Sequence, residues 1–274
     1  MFTEALPERM DVKGVTIDLL VRGTGRPLLY LHAGDGVDPS DPFIPLLAQH
    51  FKVYAPSHPG FGGSDLPRTF GSVDDLAYFY LDFLEALDLR DVVLVGSSFG
   101  GWLAAELAIR GTGRFSHLVL ADTWGAKFDS SEGTGITDIF STPMADLPGL
   151  LFADAAKGMK AFGNLEFAAM PEAAVTRFAR NREALTLLAW SPPFHNPRLT
   201  NWLHRIDIPT LVLWGAGDKV APVSYGRRFA AAISGARFET IADAGHYLAM
   251  EQPEKFTDVI SAFTNDAVQQ RGAA

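Results

Sequence analysis

The hydrophobic pattern of this chain alternates between two periods. Short, nearly unbroken apolar runs occur at residues 28–32, 51–55, 92–95, 115–121 and 209–214, and a further strand is read at 237–241. Runs of this length predict strands covered on both faces. A looser alternation at 15–21 predicts one more strand, ended by the turn Arg22-Gly23-Thr24-Gly25-Arg26. Between these runs the apolar residues take helical spacing. Val73, Leu76, Ala77, Tyr80, Leu81, Leu84 and Leu87 form one stripe behind Ser72, a good N-cap, with Asp74 and Asp75 suited to the first turn. Other helices are predicted at 42–50, from just after Ser98 to about Arg110, at 223–233, and from Pro253 to about Val268.

Strands separated by helices predict an α/β fold, with a mostly parallel central sheet flanked by helices. The alternation lapses between Trp124 and Arg205, where helical pieces are broken by residues such as Gly133, Pro143, Gly163, Pro171 and Pro192. This divides the chain into a core, 1–123 and 206–274, and an inserted helical cap, 124–205. Open α/β sheets bind ligands at the C-terminal ends of their strands. The insertion is therefore expected to roof the site.

Composition limits the partners. The 274 residues are 47% hydrophobic and carry a net charge of −9, from 23 basic and 32 acidic residues. With no basic cluster, nucleic acid and anionic membrane surfaces are poor candidates. The absence of cysteine excludes disulfides, thiolate metal sites and a cysteine nucleophile. Residues 1–7 lack an export signal, and no apolar run approaches the roughly 20 residues of a membrane span. A cytoplasmic protein acting on a small molecule is expected, with its oligomeric state open.

The chemistry centres on Gly96-Ser97-Ser98-Phe99-Gly100, between a buried strand and a helix. Glycines two residues either side of a serine permit a strained strand-to-helix turn that lifts the hydroxyl above the sheet edge. The first N–H groups of the helix then point beside it. Alone, the pattern also describes an ordinary turn. A serine nucleophile needs a histidine base held by an acid. His246 follows the strand at 237–241, and Asp218, in Gly215-Ala216-Gly217-Asp218, follows the strand at 209–214. The order Ser98, Asp218, His246 is the one the elbow requires. Asp122, at the end of the strand at 115–121, is the rival acid, or else a cap at the start of the insertion. His50, His117 and His204 read as structural or surface residues, and His195 as a loop residue of the insertion.

These residues give the chain a family resemblance. Leu31-His32-Ala33-Gly34, Pro59-Gly60-Phe61-Gly62-Gly63-Ser64, Gly96-Ser97-Ser98-Phe99-Gly100-Gly101, Gly215-Ala216-Gly217-Asp218 and Gly245-His246-Tyr247 resemble the marks of α/β-hydrolase-fold proteins. The resemblance spans nearly the whole length. It implies a catalytic triad of Ser98, Asp218 and His246, no metal and no cofactor. It also implies an oxyanion hole of two backbone N–H groups, from Phe99 and from Gly34. Because this chain has His-Ala-Gly where the family usually has His-Gly-Gly, Ala33 is the alternative to Gly34. His32 reads as a loop-fixing residue. Ser57 stands where many relatives have aspartate.

The insertion is rich in aromatics, including Trp124, Phe128, Phe140, Phe152, Phe162, Phe178, Phe194 and Trp202. Most should pack the cap, while some, Trp124 among them, should face an apolar pocket. Ala174, Phe178, Asn181, Leu185 and Leu188 share one face of a helix at 172–189. Asn181 is the polar exception there: a buried amide satisfied by backbone, or a substrate contact. Arg180 and Arg182 either hold a substrate carboxylate or lie on a solvated face.

The reading that follows is a serine hydrolase acting on a carboxylic ester or similar acyl group, small and apolar or aromatic. A carbon–carbon bond hydrolase of aromatic degradation is the nearest alternative, although Tyr247 stands where those enzymes commonly carry tryptophan. A cofactor-free haloperoxidase uses the same triad, and a slow ligand sensor would retain it. Ser98 disfavours haloalkane dehalogenase and epoxide hydrolase chemistry, which needs aspartate at the elbow. A dinucleotide site is rejected because its glycine fingerprint belongs to the first strand.

Overall fold

A computed structural model describes residues 7–128, 135–162 and 167–272. The breaks expected at Gly133 and Gly163 lie outside the described residues, as does the start of the N-terminal segment. The side chain of Phe162 is likewise outside them.

Among the described residues, eight strands form one sheet: β1 (Glu8–Val12), β2 (Val15–Arg22), β3 (Pro27–Leu31), β4 (Lys52–Pro56), β5 (Val92–Ser97), β6 (Phe115–Ala121), β7 (Thr210–Gly215) and β8 (Arg237–Ile241). Their spatial order is β1-β2-β4-β3-β5-β6-β7-β8. β1 and β2 form an antiparallel hairpin, β2 pairs antiparallel with β4, and the other neighbours are parallel. β1 had no expectation in the sequence. Its residues Glu8-Arg9-Met10-Asp11 are mostly polar and exposed, as suits an edge strand. Lys13 (φ 51°) and Gly14 (φ 88°) close the hairpin with two left-handed residues, the geometry that joins twisted strands in a two-residue loop.

The helices are α1 (Phe43–Leu47), α2 (Val73–Ala86), α3 (Phe99–Ile109), α4 (Leu147–Leu151), α5 (Ala155–Phe162), α6 (Glu172–Ala189), α7 (Val223–Ala231), α8 (Leu248–Glu251) and α9 (Pro253–Gly272). α1 is shorter than the stretch expected at 42–50, and α9 runs past the expected stop near Val268. α2 begins as expected. Ser72 Oγ accepts the Asp75 N–H at 3.3 Å and donates to Asp75 Oδ2 at 2.6 Å, a reciprocal cap. Among the described residues no helix is long and apolar enough to cross a membrane.

Alternation along each parallel strand separates two cores. Leu29, Leu31, Leu94, Leu118, Leu120 and Val212 face α2, α3 and α7. Leu28, Tyr30, Val93, Val95, Val119 and Leu211 face α1 and α9. Burial on both faces is why these strands read as unbroken apolar runs.

The chain leaves β3 for β4 on one side, then returns past β3 to β5 on the other. The loops after β3 and β5 therefore meet at the point where the strand order reverses, where such sheets open a crevice. α3 rises from this point unusually close to the sheet. A Cβ on Gly100 would lie 2.1 Å from the Leu31 carbonyl oxygen, and one on Gly96 would lie 2.3 Å from the Gly100 oxygen.

Between β6 and β7 run α4, α5 and α6 with single-turn helices at Phe167–Ala169, Leu199–Asn201 and Leu203–Arg205. Hydrogen bonds hold this stretch together and tie it to the rest. Gly125 bridges His195, with the Gly125 N–H on Phe194 O at 3.1 Å and the Asn196 N–H on Gly125 O at 2.9 Å. Asn181 of α6 accepts the Gly62 N–H at 2.8 Å and donates from Nδ2 to Asp35 O. Its amide joins α6 to the loop after β3 and to the loop after β4.

Two substitutions test these contacts. Asn181→Ala strands one carbonyl and one N–H, so urea unfolding should show a loss of about 1–3 kcal/mol. Gly100→Ala forces α3 off the sheet and should cost at least as much, about 1–3 kcal/mol for overpacking, or prevent folding. Unchanged stability in both variants would contradict the described packing.

Candidate active site

The sheet places four acid, base or nucleophile side chains at consecutive strand ends: Ser98 after β5, Asp122 after β6, Asp218 after β7 and His246 after β8. Register aligns these ends, with Ser97 opposite Ala121, Ala121 opposite Leu213, and Gly215 opposite Ile241.

Ser98 has φ 53° and ψ −115°, a strained conformation for a residue with a side chain. Backbone bonds hold it there. The Ser98 N–H donates to Ala121 O at 2.8 Å, and Ser98 O accepts from the N–H groups of Gly101, Trp102 and Trp124 at 3.0, 3.2 and 3.3 Å. Ser98 Oγ lies 2.8 Å from His246 Nε2, and His246 Nδ1 lies 2.9 Å from Asp218 Oδ2. The other Asp218 oxygen accepts N–H groups of Val220 (2.7 Å) and Ala221 (3.0 Å). The His246 and Asp218 side chains are fully buried. With Nδ1–H donating to the carboxylate, Nε2 carries the lone pair that accepts the Ser98 hydroxyl proton.

Asp122 is built differently. Its Oδ1 accepts the Gly215 N–H at 2.8 Å, and His246 bonds to Asp218 instead. Burial, reinforced by the neighbouring Asp218 charge, pushes its carboxyl well above the usual range. Neither the rival-acid role nor an N-cap role matches this position.

The His246 loop has its own support, which the sequence pattern did not reveal. Glu251 accepts N–H groups of Ala153, Asp154 and Gly245 at 2.9, 3.0 and 2.6 Å. One buried carboxylate thereby joins the α4–α5 junction to the residue before His246. Trp124 stacks on the His246 ring at 5.7 Å and 20°.

His32 and His58 form a second buried pair, with ring centroids 3.7 Å apart. His32 Nε2 accepts the His58 N–H at 2.9 Å, so its Nδ1–H donates to Ala33 O at 2.6 Å. Burial lowers the His32 pKa to about 4 and holds that of His58 well below the usual imidazole value. Both rings are neutral braces for the loop after β3. His58, which carries half of this brace, has no motif signature in the sequence.

A cavity of about 70 Å³ opens on Ser98 and His246, lined also by Gly34, Trp124, Leu185 and Tyr247. Ile139, Leu147, Leu151 and Phe178 make much of its wall apolar. Asn181 is in that wall, but both ends of its amide bond to backbone. Arg182 also lines the cavity, whereas Arg180 donates to Ser64 O at 2.7 Å and lies outside it. His195 is buried away from this cavity, with Nδ1 on Pro193 O at 2.8 Å. The Phe99 N–H begins α3 and has no partner within the helix. Gly34, across the cavity, presses on Leu185, where a Cβ would sit 2.5 Å from a methyl group.

Comparison with known proteins agrees with this architecture. A family profile described as alpha/beta hydrolase fold matches residues 26–253. A 2-hydroxy-6-oxo-2,4-heptadienoate hydrolase of Pseudomonas putida is 27% identical over 265 residues, covering 91% of this chain and 93% of its own. A 3-oxoadipate enol-lactonase of Acinetobacter baylyi is 27% identical over 263 residues, with 92% and 94% covered. Among solved structures, the meta-cleavage product hydrolase of Pseudomonas fluorescens IP01 superposes with a TM-score of 0.78 at 23% identity, covering 96% of this chain and 98% of that one. This protein belongs to the alpha/beta hydrolase fold family.

Proposed function

We propose that this hydrolase cleaves a small carboxylic ester, or a similarly activated acyl compound, through a covalent Ser98 intermediate. The observation that carries the reading is the continuous hydrogen-bonded chain Ser98–His246–Asp218 at the wall of a largely apolar cavity. Ser98 Oγ attacks the substrate carbonyl carbon as its proton passes to His246 Nε2. Asp218 orients the imidazole and stabilises the imidazolium. The carbonyl oxygen becomes an oxyanion held by the N–H groups of Phe99 and Gly34. Each such donor is worth about 2.7–4 kcal/mol of barrier. Collapse of the adduct breaks the bond to the leaving group, which takes the His246 proton. Water, deprotonated by His246, then attacks the acyl carbon and releases Ser98 with its proton restored. In this reading residues 124–205 act as the cap that excludes bulk water.

A second reading is favoured by one observation, the presence of Arg182 in the cavity lining. A substrate carrying a carboxylate would find its counter-charge there. The similar hydrolase of Pseudomonas putida is named for a dienoate substrate. In that reading Ser98 attacks a ketone, and the bond that breaks joins two carbons, so the leaving carbon must accept a proton. A sensor with slow turnover would label but not cycle.

Reaction with a fluorophosphonate, followed by hydrolysis of nitrophenyl esters of graded acyl length, tests the proposal. The wild-type protein should label stoichiometrically and favour short acyl chains, because a cavity of about 70 Å³ has little room for longer ones. Ser98→Ala should abolish labelling and lower kcat by roughly 10⁴-fold or more. Labelling that survives the substitution would overturn the proposal. Labelling without ester turnover, combined with cleavage of a vinylogous diketone, would select the carbon–carbon reading.

A further inference from the structure

The loop after β3 brings one more functional group to the Ser98 cavity. Residues 33–36 form a tight turn, with the Gly36 N–H on Ala33 O at 3.1 Å and Gly36 at φ 99°. Asn181 Nδ2 holds the carbonyl of Asp35 within this turn. The backbone of Asp35 is therefore fixed from both the core and α6. Its side chain borders the cavity that contains Ser98 and His246.

Asp35 also borders a second space. A groove of about 330 Å³ runs outward past Asp38, Asp41 and Arg177. Groove and cavity share four lining residues, Asp35, Phe178, Asn181 and Tyr247, and so lie side by side. Asp35 remains accessible there as a residue. Arg177 is ion-paired with Asp38, which leaves Asp35 and Asp41 as the unbalanced charges of this passage. Arg182, in the cavity wall, has its guanidinium over the Phe140 ring at 5.5 Å.

We propose that Asp35 is a specificity-determining residue of the Ser98 cavity. Its carboxylate, placed where cavity and groove adjoin, selects acyl substrates bearing a protonated amine on the groove side, over neutral and carboxylate-bearing counterparts of the same shape. The proposal rests on the reading of Ser98 as a hydrolytic nucleophile. The charged form of the carboxyl is costly there, because burial pushes its pKa up to about 6. A ligand N–H⁺ relieves that cost with a charge-assisted hydrogen bond. The protein groups facing Asp35 relieve it only in part. They are its own N–H, the Tyr247 hydroxyl, His246 and, from α6, Arg177. Asp41 on the same loop adds like charge and is itself pushed up to about 7 by burial. Tyr30 and Arg182 complete the charged or titratable surroundings, acting on Tyr247.

Three short esters of matched shape test this: dimethylaminoethyl acetate, its carbon isostere isopentyl acetate, and carboxyethyl acetate. At pH 8 (roughly two units above the Asp35 pKa) the wild-type kcat/KM should fall in that order. In Asp35→Asn the ratio of amine to isopentyl ester should drop by about 10–100-fold, chiefly through KM, whatever the absolute rate. The carboxylate ester should improve relative to isopentyl. In the wild type the same ratio should fall as pH drops through about 6, the value at which Asp35 takes up its proton. Because His246 serves both esters, its titration cancels in the ratio, and this measurement does not depend on the variant folding. Equal effects on all three esters, or no amine preference in the wild type, would overturn the role of Asp35 alone. Failure of the wild type to hydrolyse even isopentyl acetate would remove the hydrolase reading, and this proposal with it.

Discussion

The close approach of α3 to the sheet is the constraint on which the site depends. Backbone meets backbone where Gly96, Gly100 and Leu31 converge, at separations that leave no space for a methyl group. That approach forces Ser98 into a left-handed conformation and lifts its hydroxyl above the strand ends. It also brings the start of α3 alongside the loop after β3. Ser98, the Phe99 N–H and Gly34 thus share one geometric origin. The strain at Ser98, of order 1–3 kcal/mol, persists because four backbone hydrogen bonds hold the residue.

Around this point the protein uses buried polar groups as braces. Asp218 has one oxygen on two backbone N–H groups and the other on His246, so its charge is both satisfied and aimed. Glu251 steadies the loop that carries His246, and the neutral His32–His58 pair steadies the loop that carries Gly34. Asn181 ties α6 to the same loop. Each of these groups is buried and hydrogen-bonded, which is the condition under which a polar side chain stabilises an interior.

The parallel strands and the elbow were legible in the sequence because their signals are local. An apolar run marks a doubly covered strand, and glycines flanking a serine mark a strained turn. Asp218 and His246 were legible by position, each following its own strand. β1 was not legible, since its polar residues are those of an exposed edge and its partner lies across a Lys13-Gly14 turn. Asn181 was legible only as a polar interruption of an apolar face. That its amide clamps Gly62 and Asp35 depends on segments far away in the chain. The same holds for Asp35, whose place at the mouth of the cavity is set by Tyr247 and α6 rather than by its neighbours.

The central claim is that Ser98, activated by His246, carries the acyl group between attack and hydrolysis. The direct measurement is mass spectrometry of protein quenched in acid during turnover of nitrophenyl acetate, with the wild type compared with His246→Ala and Ser98→Ala. The account predicts one acetyl group on the wild-type peptide containing Ser98, no acetyl there in Ser98→Ala, and much slower acetylation in His246→Ala. Acetylation of another residue at the wild-type rate, or turnover with Ser98 never modified, would contradict it.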